Sequence, residues 1–260
     1  MASHLVQVTV DDHVAVLTLN DPDTRNALSD ELLDELLAAL EQIRADDTVR
    51  AVVLTSSHEK TFSSGGNVKA FADDRPTVSK YAGLERFPRL FTAMGGLGKP
   101  VLCAANGDVL AGAFGLALSC DLILAKEGVR FGCPEITIGA FPFMISALIY
   151  RNIGRMKANE LMFMGEMIDA AEAMDLGIVN RVVPAAEFDE TVRRWALKLA
   201  TQSPLLMRLG KNAIDATRDQ SLPAALDHMR AQLALAFTTS DLCEGVQAFR
   251  ERRDPTWTFS

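Results

Sequence analysis

Two glycine-bearing stretches carry the residue types that could do chemistry in this chain. The first, Asn106-Gly107-Asp108-Val109-Leu110-Ala111-Gly112-Ala113-Phe114-Gly115-Leu116-Ala117, reads as a small-residue turn running straight into an apolar helix. Glycine and alanine let another group approach the backbone, and a helix start leaves N–H groups without intrahelical partners. With the positive end of the helix dipole behind them, those donors suit a developing oxyanion. The second stretch, Phe62-Ser63-Ser64-Gly65-Gly66-Asn67, is a tight turn that follows the apolar run Ala51-Val52-Val53-Leu54. Two such donors converging on one oxygen would form an oxyanion hole, which contributes roughly 3 kcal/mol to a transition state. Taken singly, each turn is also what an ordinary strand-to-helix junction looks like.

These turns need a frame, and the hydropathy pattern supplies one. Val6–Val10 and Val14–Leu19 flank Asp11-Asp12-His13 and predict a hairpin. Ser29 stands as the N-cap of a helix that has Asp30 and Glu31 in its first turn and leucines at helical spacing through Leu40. Continuous apolar strands are expected over Val49–Leu54, Val101–Ala105 and Leu122–Ala125, with helices after Gly112 and from Ser146. This alternation predicts an α/β domain whose strands are largely buried. After about Ala200 the strand signal stops, and Pro204–Ala216, Leu222–Ala236 and Ser240–Arg253 read as three helices.

Composition excludes several classes. The 260 residues are 48% hydrophobic, enough for one generous domain or a domain with a helical appendage. Lys and Arg total 26 against 34 Asp and Glu, for a net charge of −8, which argues against nucleic-acid or membrane-surface binding. Cys103, Cys120, Cys133 and Cys243 show neither paired nor zinc-ligand spacing, and a reduced, cytoplasmic setting is expected. No signal peptide or membrane-spanning run is apparent. The four histidines are scattered, no Gly-x-Ser-x-Gly elbow is present and no dinucleotide fingerprint occurs, so no metal and no redox cofactor are expected.

The order of motifs along the chain resembles the enoyl-CoA hydratase/isomerase (crotonase) superfamily. The resemblance runs through Asn20-Asp21-Pro22, Arg25-Asn26-Ala27-Leu28, Phe62 to Lys69, Asn106 to Asp121 and Phe131 to Gly139. It continues over Ala170–Ala173 and Leu176–Val179 to Glu244-Gly245 and Ala248-Phe249, nearly the whole chain. It implies a crotonase-like ββα spiral over residues 1–200 and a helical, oligomerising region over 201–260, assembled as a homotrimer or hexamer. The implied ligand is an acyl-CoA thioester, with coenzyme A entering only as part of the substrate. Its carbonyl would sit between the N–H groups of Gly66 and Gly112, and the stabilised enolate would exchange protons at C2.

Typical hydratases of this family use two carboxylates. Glu135 falls on one of those positions, and Gly115, which cannot titrate, falls on the other. One base suffices to move a double bond by lifting a proton from C2 and returning it at C4, so hydration and isomerisation both stay open. A catalytically silent acyl-CoA binder is the alternative of another class. Asp108 is the carboxylate nearest the glycine turn and reads as a turn residue, while Asp121 reads as structural. For the coenzyme, the resemblance implies Lys69 and Arg25 near the phosphates, and Ala27, Ser64, Asn67 and Val68 along the pantetheine or adenine. Phe141, within Gly139–Ile145, is expected to line the acyl pocket, against a competing reading as core packing.

Overall fold

A computed structural model of the chain describes residues 4–68, 74 and 76–260. Valine alternates with polar residues along β1 (Val6–Asp11), which pairs antiparallel with the largely apolar β2 (Val14–Leu19) to form the first hairpin. Its two turn residues, Asp12 and His13, both have positive φ, at 46° and 65°, the geometry that matches the strands' twist. Ser29 caps α1 (Asp30–Ala45) by accepting from Leu32 N at 3.2 Å. Leucines at helical spacing then bury one face of α1, from Leu32 to Leu40.

The chain continues through β3 (Ala51–Ser56), β4 (Thr61–Ser63), α2 (Thr77–Leu84), α3 (Arg86–Gly95), β5 (Val101–Ala105) and β6 (Asp108–Leu110). After α4 (Gly112–Leu118) come β7 (Leu122–Lys126), β8 (Arg130–Gly132), α5 (Phe143–Asn152), α6 (Arg155–Met164) and β9 (Met167–Asp169). Then follow α7 (Ala170–Asp175), β10 (Arg181–Val183) and α8 (Phe188–Ala200). The chain closes with α9 (Pro204–Thr217), α10 (Leu222–Ala236) and α11 (Ser240–Glu251). The three terminal helices thus lie where periodicity places them. The helix expected from Ser146 begins earlier, at Phe143, because Pro142 immediately precedes it and proline's fixed φ suits a helix start.

From β3 to β8, successive strands alternate between two sheets, and this alternation is the spiral. One sheet has the order β1-β2-β3-β5-β7-β10, parallel from β2 onward; the other has the order β4-β6-β8-β9. The parallel strands are covered on both faces, which explains their unbroken apolar runs. Val52 and Leu54 belong to the large core with α1, whereas Ala51 and Val53 pack with Phe188, Ala196 and Ala200 of α8. All of α4 from Ala113 to Leu118 is buried, as an all-apolar helix must be.

An ion pair with one buried partner ties α9 to this frame. Lys211 of α9, 8% exposed, donates to Asp121 at 2.5 Å, and the same carboxylate oxygen accepts from Val101 N at 2.6 Å. Asp121 is therefore structural, as its sequence context suggested.

Candidate active site

The turns that could hold an oxyanion are positioned by Asn26. This residue is fully buried, at a positive φ of 55° that asparagine tolerates better than most side chains. Its Oδ1 accepts from Asp21 N at 2.7 Å, and its Nδ2 donates to Ser56 Oγ at 2.7 Å and Phe62 O at 3.0 Å. Ser63 Oγ donates to Asn26 O at 2.6 Å, Ser64 N to Arg25 O at 2.9 Å, and Leu28 N to Gly65 O at 2.8 Å. The segment Arg25–Leu28 is thereby stitched along Phe62–Gly66. The motif Arg25-Asn26-Ala27-Leu28 contains this residue, but nothing local in the sequence marks its role, because its partners Ser56 and Phe62 lie 30 and 36 positions away.

The second turn meets the first by direct contact. A Cβ on Gly65, whose φ is +84°, would lie 2.5 Å from Ala111 Cβ and 2.6 Å from Leu110 O. The approach therefore requires glycine. Ala111 itself is held at φ 52° and ψ −129°, a strained conformation for an L-residue, with its N–H donating to Gly132 O at 2.9 Å. Gly112 follows as the first residue of α4, so its N–H has no intrahelical acceptor. Gly66 N is 3.3 Å from the point that a Cβ on Gly112 would occupy, with Phe87 at 3.2 Å and Leu28 at 3.6 Å. The structure thus brings Gly66 and Gly112 together beside an apolar wall.

Glu135 enters from the neighbouring strand. β6 and β8 pair with Leu110 opposite Gly132, so the chain leaving β8 starts beside Ala111 and Gly112. It forms a short 3-10 helix, Pro134–Ile138, opened by proline and closed by Gly139 at φ 78°. Glu135 therefore lies in the first turn of that helix. Its Oε2 is buried without a hydrogen-bond partner, and burial raises the carboxyl pKa against the opposing effect of a backbone N–H. Burial, aided by Glu135, also raises the neighbouring Cys133 thiol far above its ordinary range. A carboxyl with raised pKa and an unused oxygen is poised for proton transfer.

The second carboxylate position is closed by packing. A Cβ on Gly115 would lie 2.3 Å from Ile145 Cγ2 and 3.1 Å from Phe91 Cζ. Asp108 offers no substitute, because it accepts from Arg130 N at 2.9 Å and pairs with the Arg130 guanidinium at 2.5 Å. Phe87 and Phe91, one helical turn apart on α3 with ring centroids 6.1 Å apart, are wall residues that the motif reading did not single out.

Of the expected coenzyme contacts, Arg25 is exposed, at a φ of 59°. Ala27 N donates to Thr24 Oγ1 at 3.1 Å, and Ser64 Oγ donates to Thr24 O at 3.2 Å. Asn67 is half-buried and Val68 is exposed, while Lys69 lies outside the described residues. Phe141 is half-buried against the core, and its ring also meets Phe143 at 5.1 Å and Phe163 at 6.1 Å. Among the described residues no group of three or more His, Cys, Asp or Glu is placed to hold a metal ion.

Residues 9–259 match the family described as enoyl-CoA hydratase/isomerase. The chain belongs to this family. A putative enoyl-CoA hydratase from Thermus thermophilus is 37% identical over 246 residues, covering 94% of this chain and 96% of the relative. The 2,3-dehydroadipyl-CoA hydratase of Escherichia coli is 32% identical, covering 93% and 94%. The crystal structure of an enoyl-CoA hydratase from Mycobacterium smegmatis superposes with a TM-score of 0.94 at 30% identity, over 97% of this chain and 98% of that one. This chain is thus an enzyme of the hydratase/isomerase type on a crotonase fold. No helix among its described residues is long and apolar enough to cross a membrane.

Proposed function

We propose that this enzyme binds an acyl-CoA thioester with its carbonyl oxygen between the N–H groups of Gly66 and Gly112, and that Glu135 moves the proton at C2. The observation that carries this reading is the buried, unpartnered Glu135 oxygen on the element that leaves β8 beside the paired glycine turns. Polarisation of the carbonyl acidifies C2, and donors already fixed by Asn26 and by the strained Ala111 need no reorganisation when charge develops. Arg25, Lys69 and the segment Ala27, Ser64, Asn67 and Val68 take the coenzyme portion, and Phe141 borders the acyl portion. No cofactor beyond the substrate's coenzyme A is required. The helices α9–α11 assemble the protein as a homotrimer or a pair of trimers in the cytoplasm.

Between the two reactions, the packing of Ile145 and Phe91 over Gly115 favours double-bond isomerisation. Glu135 as carboxylate takes a proton from C2 of a 3-enoyl thioester, leaving a dienolate whose oxyanion the two N–H groups hold. The resulting carboxylic acid returns the proton at C4, and the double bond comes to rest between C2 and C3. Hydration asks for a second group to orient water, and the corresponding space is apolar and filled.

The test is incubation of a 3-enoyl-CoA and, separately, a 2-enoyl-CoA with wild-type enzyme and Glu135→Gln, followed by chromatography and mass spectrometry. Conversion of the 3-enoyl ester at constant mass, lost in the variant, supports the reading. Gain of one water on the 2-enoyl ester assigns hydration instead. Tight binding of either ester without reaction or C2–deuterium exchange would make the protein a silent binder.

A further inference from the structure

The parallel strands have two ends, and the thioester site takes only one. The catalytic turns leave the carboxyl ends of β2, β3 and β5. At the amino ends of the same strands lies a separate cavity of about 510 Å³, beneath α9 and the chain's last residues. Three cations line it, each from a different segment: Arg50 just before β3, Lys99 just before β5, and Arg208 from α9.

Their charge is left largely uncompensated. Among the described residues neither Arg50 nor Arg208 forms an ion pair, and Arg50 Nε is buried without any hydrogen-bond partner. The Arg50 guanidinium instead stacks on Phe259, 4.9 Å from the ring centroid. Lys99 Nζ donates to two backbone carbonyls, those of Ile43 and Asp46. Burial lowers its pKa; Arg208 adds to that effect, while Asp46 and Asp47 oppose it. The Asp46 carboxylate is already turned to Thr48, accepting from its N at 2.9 Å and its Oγ1 at 2.6 Å. Asp47 is the one acidic residue in the lining, so three cations face a single carboxylate in a protein of net charge −8. The arrangement is built by close approach: Gly98, at φ +75°, would place a Cβ 3.0 Å from Arg208 Cγ, so the arginine stem lies directly over it.

We propose that this cavity binds a small, multiply charged oxyanion, its charges on Arg50, Lys99 and Arg208 and any apolar part against Leu205 and Phe259. Planar guanidinium groups suit bidentate contacts with phosphate or carboxylate oxygens, and the buried Nε is a donor waiting for such an acceptor. The site is distinct from the thioester site, since six-residue β3 alone separates the two ends by about 20 Å.

Thermal unfolding and calorimetric titration with inorganic pyrophosphate and, separately, citrate test this, against sodium chloride at matched ionic strength. A ligand held by the folded state raises the melting temperature with concentration. The expected result is a rise with one or both anions that exceeds the chloride control. Binding should weaken about tenfold or more in Arg208→Met and in Arg50→Met, and should remain unchanged in Glu135→Gln. A response to pyrophosphate alone assigns a phosphorylated ligand, and a response to citrate alone assigns a polycarboxylate. A response no greater than chloride, or one equal in wild type and both arginine variants, overturns the proposal. Using two variants on different elements keeps the test decisive if one of them fails to fold.

Discussion

Ile145 occupies the space that a side chain on Gly115 would need: a Cβ at position 115 would stand 2.3 Å from Ile145 Cγ2. The two residues come from helices α4 and α5, and Ile145 is 3% exposed, so it has little room to give way. Glycine at 115 and isoleucine at 145 are thus one packing decision.

Gly115→Ala is accordingly expected to cost about 1–3 kcal/mol through overpacking. Ile145→Ala alone should cost about 2–5 kcal/mol through the cavity it leaves. The double variant should be more stable than the sum of the two, with a coupling of about 0.5–3 kcal/mol. Chemical denaturation of the four proteins measures the cycle. Strict additivity would show that the two positions do not share the space.

Glu135 yields a prediction with two signs. As the base it must be ionised, so turnover should fall as pH is lowered through its raised pKa. For stability the direction is opposite. The folded state holds this proton more tightly than the unfolded chain, so Glu135 destabilises the fold increasingly as pH rises through its folded pKa. Glu135→Gln should therefore lower turnover by about 10²–10⁴-fold while melting above wild type at neutral pH. The melting gap should close below the unfolded glutamate pKa of about 4.3. Paired pH profiles of rate and melting temperature measure both. A variant that melts below wild type at pH 7 would contradict the burial argument.

The strands and helices were legible because their signals are local: Ser29 before Asp30-Glu31 caps a helix wherever the chain goes, and Ala51–Leu54 is apolar on both faces. The glycine turns were legible as residue types. What joins them was not, because it depends on partners far apart in the chain. Asn26 reaches Phe62 across 36 positions, and Ile145 meets Gly115 across a fold that no local pattern encodes. Glu135 could be picked out as a carboxylate in its motif, but its unpartnered oxygen arises from burial by elements distant in sequence.

Asn26 should behave as an organiser rather than as a group that touches substrate. Its amide serves Asp21 N, Ser56 Oγ and Phe62 O at once, all within 3.0 Å. Asn26→Ala orphans these partners, each at a cost of about 1–3 kcal/mol where buried. Asn26→Asp keeps the acceptor toward Asp21 and loses both donors. Both variants should be less stable than wild type, Asp because it buries an unpaired carboxylate against Phe62 O, with kcat falling as Gly66 loses its fixed position. Denaturation midpoints together with kcat measure this, and an Ala variant with unchanged stability would remove Asn26 from that role.

Helix α10 has no buried residue in the isolated chain although it is rich in leucine. Leu222, Leu226, Leu233 and Phe237 are 72%, 59%, 55% and 66% exposed, and their spacing of four, seven and four residues places them on one helical face. An apolar stripe of this kind left in water marks an interface. Light scattering on purified protein should give a mass three or six times the 28.2 kDa chain. The pair Leu226→Glu and Leu233→Glu should reduce that mass toward a single chain, because two like charges would then be buried at each contact without partners. A monomer in the wild type would detach α10 from assembly and leave its stripe to another partner.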